Sequence, residues 1–185
     1  MSQPVPPEEE RFSSNVTVMA KAVADGVSQI RAKGYDTVDP TVINLAVAVI
    51  SGFDKHYLIQ GFIENSHQQC WDKIKARDEI YFMEHVHEVF QYLPMEHVNM
   101  FADLFRVKDA NGQSVVPQSL KDQIWGLFDA MIKICIKYIH KQRGPYSEVN
   151  EGEIEQYYQN EFSQQVDLVY HAGVWNVQLD FPMSV

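Results

Sequence analysis

The stretch LIQGFIENSHQQCWDKIKARDEIYFMEHVHEVFQYL, residues 58–93, decides the fold, because it holds no proline, one glycine and a bulky apolar residue in almost every turn. Such a run reads as helix almost throughout. Its phase can be followed at about 100° per residue, taking Phe62 as zero. On that wheel Ile59, Ile63, Cys70 and Ile74 fall between roughly 60° and 120°, whereas Trp71, Phe82, Val86, Val89 and Leu93 fall between roughly 180° and 240°. Two stripes on one straight helix would face different neighbours, so the spacing predicts a kink or break near Arg77-Asp78. Pro94 closes the segment, because its ring removes a backbone donor and clashes with the preceding turn.

Upstream, Val16, Met19, Ala20, Val23, Val27 and Ile30 recur three and four residues apart, which gives an amphipathic helix ending at Lys33-Gly34 with Gly34 at the C′ position. Asp39 then caps and Pro40 fits the first turn of a second helix. Thr41 to Ile50 is almost wholly apolar, so this helix is predicted to be short, buried and finished near Gly52. Downstream, Met95 to Leu104 supplies another short apolar-periodic helix. In FRVKDANGQSVV, residues 105–116, the turn pair Asn111-Gly112 separates two short β-prone runs and predicts a hairpin. Leu120 to Lys141 reads as the central helix, with Ile124, Leu127, Phe128, Met131, Ile134, Cys135 and Tyr138 covering much of its circumference. Its last turns carry Lys133, Lys137, His140 and Lys141, which complement the negative end of the helix dipole. Ile154 to Tyr170 has a weaker helical pattern. WNVQLDF then places Trp175, Val177, Leu179 and Phe181 on one face with strict period two, the signature of a half-buried strand.

The predicted fold is therefore mainly α: a compact multi-helix domain with a small β element, made of a hairpin at about 105–116 and a C-terminal strand at about 174–181. Residues 1–11 combine three prolines with Glu8, Glu9 and Glu10 and read as a flexible acidic tail, leaving 12–185 as a single domain. At 185 residues, with 45% hydrophobic content, the chain can bury a real core.

A net charge of -10 with a pI near 5.0 excludes a nonspecific nucleic-acid binder, which needs clustered lysine and arginine. Cys70 and Cys135 sit in apolar helical settings far apart in sequence, which suits reduced thiols. MSQPVPPEEERF lacks the basic and apolar regions of a signal peptide. The longest apolar-rich run, Ile124 to Ile139, contains Asp129, Lys133 and Lys137 and is shorter than the roughly 20 residues a bilayer requires, so no transmembrane segment is predicted. The basic face of the same helix, near Trp125 and Tyr138, leaves peripheral contact with a membrane or an acidic partner as an alternative to simple dipole compensation.

Two Glu-x-x-His pairs, Glu64/His67 and Glu84/His87, have the spacing that di-iron helical bundles use. In those bundles other helices separate the pairs, whereas here 20 residues do so with no credible helix pair between them. Glu84 and His87 also fall near 40° and 340°, roughly opposite the apolar centre of their segment, so they point to solvent. His85 and His87 lie about 200° apart on a helix and cannot chelate together there. His56, His97, His140 and His171 have no ligand spacing to one another. The chain has no Gly-x-Ser-x-Gly elbow, no Gly-x-x-x-x-Gly-Lys-Ser/Thr loop and no Gly-x-Gly-x-x-Gly turn. Asp109-Ala110-Asn111-Gly112 lacks the later ligands of a calcium loop and is explained as a turn. The sequence thus assigns no catalytic residue, no metal ligand and no cofactor.

The run Phe62-Ile63-Glu64-Asn65-Ser66-His67, followed by Trp71-Asp72-Lys73-Ile74 and by Arg77-Asp78-Glu79-Ile80-Tyr81-Phe82, resembles a segment of small helical proteins of nucleocytoplasmic large DNA viruses. The resemblance covers roughly residues 58–105 and rests on helix-packing residues. It implies a virus-encoded protein made in the host cytoplasm and carried in the virion, as a minor capsid component. The expectation that follows is a non-enzymatic structural protein bridging capsid subunits or copies of itself through its tail and its C-terminal strand, with Trp175, Val177, Leu179 and Phe181 as the contact face, the alternative being that this strand adds to the 105–116 hairpin within the chain. A metal-binding helical-bundle enzyme or sensor, and a viral regulatory protein with a protein partner, are the competing readings.

Overall fold

Two 25-residue helices, α1 (Glu8–Ala32) and α7 (Gln118–Gln142), carry the architecture. The computed structural model describes residues 7–37, 39–66, 68–91, 93–142, 166–171 and 174–179, the last two spans as backbone only. Between the long helices lie α2 (Pro40–Ser51), α3 (Lys55–Asn65), α4 (Gln68–Lys75), α5 (Glu79–Val89) and α6 (Met95–Arg106). α1 packs against α7, α2, α3 and α6, while α4 rests on α7 and α5 on α6. The long pair runs antiparallel: Lys141 near the end of α7 bonds Glu8 at the start of α1, and Lys33 beyond the end of α1 donates to the carbonyl of Val115 just before α7. The protein is mainly helical, as its 3.6-residue periodicity requires.

The core is drawn from one stripe of α1 and most of α7. Phe12, Val23, Val27 and Ile30 of α1 share one buried core with Ile124, Phe128, Met131 and Ile132 of α7. Gly26 permits this approach, because a Cβ there would lie 2.5 Å from one methyl of Leu120 and 2.8 Å from one of Leu104. Phe82 of α5 anchors an aromatic cluster, its ring 5.0 Å from Phe128, 5.4 Å from Phe101 and 5.7 Å from Trp125. Such tilted and edge-on pairs add to the energy of simple burial.

The deciding stretch breaks twice. The break at Arg77-Asp78 lies where the two apolar stripes require it. Arg77 takes a left-handed φ of 57°, its N–H bonds the carbonyl of Ile74, and the N–H of Asp78 bonds that of Lys73. This is the hydrogen-bond pattern that normally ends a helix on glycine. Arginine is held there because its guanidinium forms a two-pronged ion pair with Asp129 and lies over the Trp125 ring. Asp78 then caps α5, accepting from the N–H of Tyr81 at 3.0 Å. The second break, at Ser66, is absent from the expectation of nearly continuous helix. Ser66 is fully buried; its hydroxyl donates to the carbonyl of Phe62 and accepts from the indole N–H of Trp71, both at 2.5 Å. A side-chain bond across the α3–α4 junction thus marks the end of α3.

Three further expectations need correction. The chain is ordered before residue 12: α1 begins at Glu8, which is only 4% exposed and paired with Lys141. Three glutamates in the first turn suit the positive end of the helix dipole, so the acidic run is helix from Glu8 onward rather than tail. Residues 1–6 lie outside the described residues. α2 has its expected cap and limits, but among its described side chains Ile50 is buried while Thr41, Asn44, Leu45, Ala48 and Val49 are exposed, so the expectation of a buried helix does not hold for them.

The small β element is not shown in the form expected. Over 105–116 there is no strand pair: Phe105 and Arg106 belong to α6, and one isolated bridge joins Lys108 to Ser114. The turn is real, with Gly112 at φ 75° and Asp109 accepting from the N–H groups of Asn111 and Gln113, but the flanks are too short to make strands. Further on, the described backbone comprises β1 (Val166–His171) and β2 (Val174–Leu179), antiparallel with Val166 opposite Leu179. Residues 154–165 of the expected helix and Phe181 lie outside the described residues.

Candidate functional site

α2 is the element whose surface departs most from an ordinary solvated helix. Asp39 starts it by accepting from the N–H of Thr41 at 2.9 Å, and those bonds from Thr41 hold its carboxyl below the usual carboxylate range. From Pro40 to Ser51 there is no charged residue. One side faces inward, with Ile50 buried and Val42 and Val47 packed against the core. The other carries Thr41, Asn44, Leu45, Ala48 and Val49, exposed at three- and four-residue steps. Leu45 is 65% exposed and Val49 41%. The result is an uncharged, mostly apolar stripe with Ala48 as a shallow point between two larger side chains.

Beside the inner edge of α2 a half-open cleft of about 70 Å³ lies between α1, the α5–α6 junction and α6. Ile50 of α2 forms part of its wall, together with Met19 and Val23 of α1, Phe90 beyond α5, and Met100 and Phe101 of α6. The polar side chain in this wall is His97, and its Nδ1 is buried without a hydrogen-bond partner among the described residues.

The residues singled out by sequence distribute as follows. Glu64 and Glu84 are exposed, and His67 lies outside the described residues. His85 stacks on Tyr81 at 4.2 Å and reaches Glu88 at 3.2 Å, so its contacts are local to α5. His56 bonds the hydroxyl of Tyr138 at 2.6 Å across α3 and α7. Among the described residues no group of three His, Cys, Asp or Glu side chains is placed to hold a metal ion. Cys70 and Cys135 are buried free thiols; burial and the Glu88 carboxylate push Cys70 up to about 12, and burial alone raises Cys135 well above the ordinary thiol range. A thiol so placed is protonated and a poor nucleophile. Among the described residues no helix is long and apolar enough to cross a membrane. Trp175, Val177 and Leu179 fall in β2, where only the backbone is described.

Sequence reasoning missed both the α2 stripe and the cleft. A helix free of charge in a chain of net charge -10 was the available signal for the stripe. Nothing in the sequence distinguishes His97 from any other histidine. No family model matches the chain, and neither a curated protein nor a solved structure matches it.

Proposed function

We propose that this chain is a non-enzymatic interaction protein that docks on another protein through the outer face of α2. The observation that carries this reading is Leu45, 65% exposed, beside Val49, 41% exposed, on a helix without a charge. Apolar stripes of this kind on soluble domains mark contact surfaces. Covering these two side chains would contribute roughly 3–4 kcal/mol, at about 25 cal/mol per Å² of apolar area removed from water. That is enough for a contact centre but not for a whole interface.

A second contact is proposed for the C-terminal strand. The alternation of Trp175, Val177, Leu179 and Phe181 suits a strand that adds to a sheet edge, with backbone bonds giving direction and the apolar face giving energy. The setting we propose, on the resemblance over residues 58–105, is a minor capsid or virion component of a large icosahedral DNA virus, with capsid proteins as neighbours. Detection of the chain in purified particles at a fixed ratio to the major shell protein supports that setting; its confinement to the infected-cell soluble fraction contradicts it.

The docking face is tested by Leu45→Glu with Val49→Glu. Both side chains point outward, so helix content and melting are expected to stay near wild type while incorporation into the native assembly falls at least tenfold. Unchanged incorporation overturns the reading. Truncation after Ala172 tests the strand separately, with the same readout.

A further inference from the structure

We infer that Asn111 is a site of spontaneous covalent modification, converting to aspartate and isoaspartate by attack of the Gly112 backbone nitrogen, at a rate set by the hydrogen bonds to Asp109. The inference does not depend on the docking face. The attack closes a five-membered ring between Asn111 Cγ and Gly112 N. The Cγ–Nδ2 bond breaks, the proton on Gly112 N passes to a solvent base, and ammonia leaves. Water then opens this succinimide: cleavage of the new Cγ–N bond gives aspartate, and cleavage of the original peptide bond gives isoaspartate, with the main chain routed through Cβ. Water is the co-reactant, and nothing is oxidised or reduced.

A side chain on the residue after asparagine obstructs the ring, and glycine has none. Asn111 precedes Gly112, whereas Asn15, Asn44 and Asn99 precede Val16, Leu45 and Met100. Those three asparagines also lie inside α1, α2 and α6, where the nitrogen that would attack is tied into the helical ladder. Asn65 precedes the small Ser66, but its amide is held. Its Nδ2 donates to the carbonyl of Gly61 at 2.7 Å, its Oδ1 accepts from Gln91, and the N–H of Ser66 bonds the carbonyl of Phe62 at 2.9 Å.

Asn111 stands exposed on the turn between α6 and α7. Gly112 is exposed too, with φ 75°, and nothing lies within 4 Å of where its Cβ would be, so this backbone has room to turn. Asp109 braces the turn. Its carboxylate accepts from the N–H of Asn111 at 2.8 Å and of Gln113 at 2.9 Å, and its carbonyl accepts from the N–H of Gly112 at 3.0 Å. That last bond engages the attacking nitrogen and must open before the ring closes. The flanks carry one isolated bridge, Lys108 to Ser114, so the turn opens without breaking a strand ladder. The product then unmakes the turn: a second carboxylate arises two residues from that of Asp109, and the isoaspartate form lengthens the main chain between the bonded groups. Because no enzyme is needed, the altered fraction grows with the age of the chain.

The test is a timed incubation of the folded full chain in ¹⁸O-enriched water at neutral pH. Cleavage at Lys108 and Lys121 then isolates Asn111 from every other asparagine, and a synthetic peptide of residues 105–116 is the reference. One ¹⁸O atom is expected to enter at Asn111, as a mixture of aspartate and isoaspartate separated by chromatography. The rate should be about fivefold below that of the peptide, the value of one neutral hydrogen bond. Asp109→Ala, with folding checked by circular dichroism, should approach the rate of the peptide carrying the same change. Asp109→Asn, which keeps an accepting oxygen, should hold the wild-type ratio of chain to peptide. A folded chain that stays unmodified while the peptide converts overturns the inference, and so does faster conversion at Asn65 or at any other asparagine. An Asp109→Ala chain no faster than wild type overturns the control by Asp109.

Discussion

Trp71→Phe is the substitution that asks most of the packing described above. The indole is fully buried, and its N–H donates to Ser66 Oγ, which in turn donates to the carbonyl of Phe62 at the end of α3. Replacing indole by phenyl leaves a void of about 40 Å³, worth about 1 kcal/mol at roughly 24 cal/mol per Å³. Loss of the hydrogen bond adds about 1 kcal/mol. The total of about 2 kcal/mol corresponds to a fall in Tm of roughly 4–8 °C for a chain of this length. Ser66→Ala costs about 1–3 kcal/mol for a different reason, since it strands the buried indole N–H. The double variant removes both partners, so its destabilisation should fall short of the sum by about 1 kcal/mol. Urea denaturation followed by far-UV circular dichroism measures all three, and avoids the fluorescence lost with Trp71. Single variants within 0.5 kcal/mol of wild type, or strictly additive effects, would refute the claim that this bond fixes the α3–α4 break.

Other consequences are open to direct measurement. Cys70 and Cys135, protonated and enclosed, should resist Ellman's reagent at pH 8 in the folded chain and both react in guanidinium; rapid labelling of either in the native state contradicts the packing of α4 or α7. Asp78 is held below its usual range first by the backbone N–H of Tyr81 and then by Lys73. Because its folded value lies below its unfolded one, the stability it contributes is present above the unfolded carboxylate range and is lost as pH falls through the folded value. Asp78→Asn keeps the capping oxygen and should flatten that acid limb in denaturation curves, whereas an unchanged slope would show that other carboxylates control it. Gly26→Ala sets about 1 kcal/mol of gained helix propensity against about 1–3 kcal/mol of overpacking on Leu104 and Leu120. A net loss near 1 kcal/mol is expected, and a gain would mean that the two leucines can rotate away.

What the sequence disclosed depended on whether a feature was local. The ends of α1 and α2 were marked by Gly34 and by Asp39-Pro40, whose backbone preferences act within a few residues. The break at Arg77-Asp78 was legible because a change of apolar phase cannot occur on a straight helix. The break at Ser66 was not, although its indole partner is only five residues on, because a bond between a hydroxyl and an indole at two helix ends leaves no mark in the apolar phase. Glu8 was hidden because its partner Lys141 lies 133 residues away. Helical phase did place Glu84 outward, against a metal role for Glu84/His87. The apolar run of α2 read as buried because apolar helices usually are; how much of it is covered depends on how many neighbours the fold supplies. The turn at Asn111-Gly112 was legible, but its failure to propagate into strands was set by α6 extending to Arg106. The orphan nitrogen of His97 has no signature in sequence, since it depends on what fails to face it.

Site-specific photo-crosslinking in the native setting tests the docking face most directly, with benzoylphenylalanine introduced at Leu45 on the exposed stripe or at Lys21 on the exposed side of α1. If α2 is the docking face, Leu45 yields one discrete crosslinked product with a single protein and Lys21 yields none. The same products from both positions, or none from Leu45, would mean that α2 docks nothing.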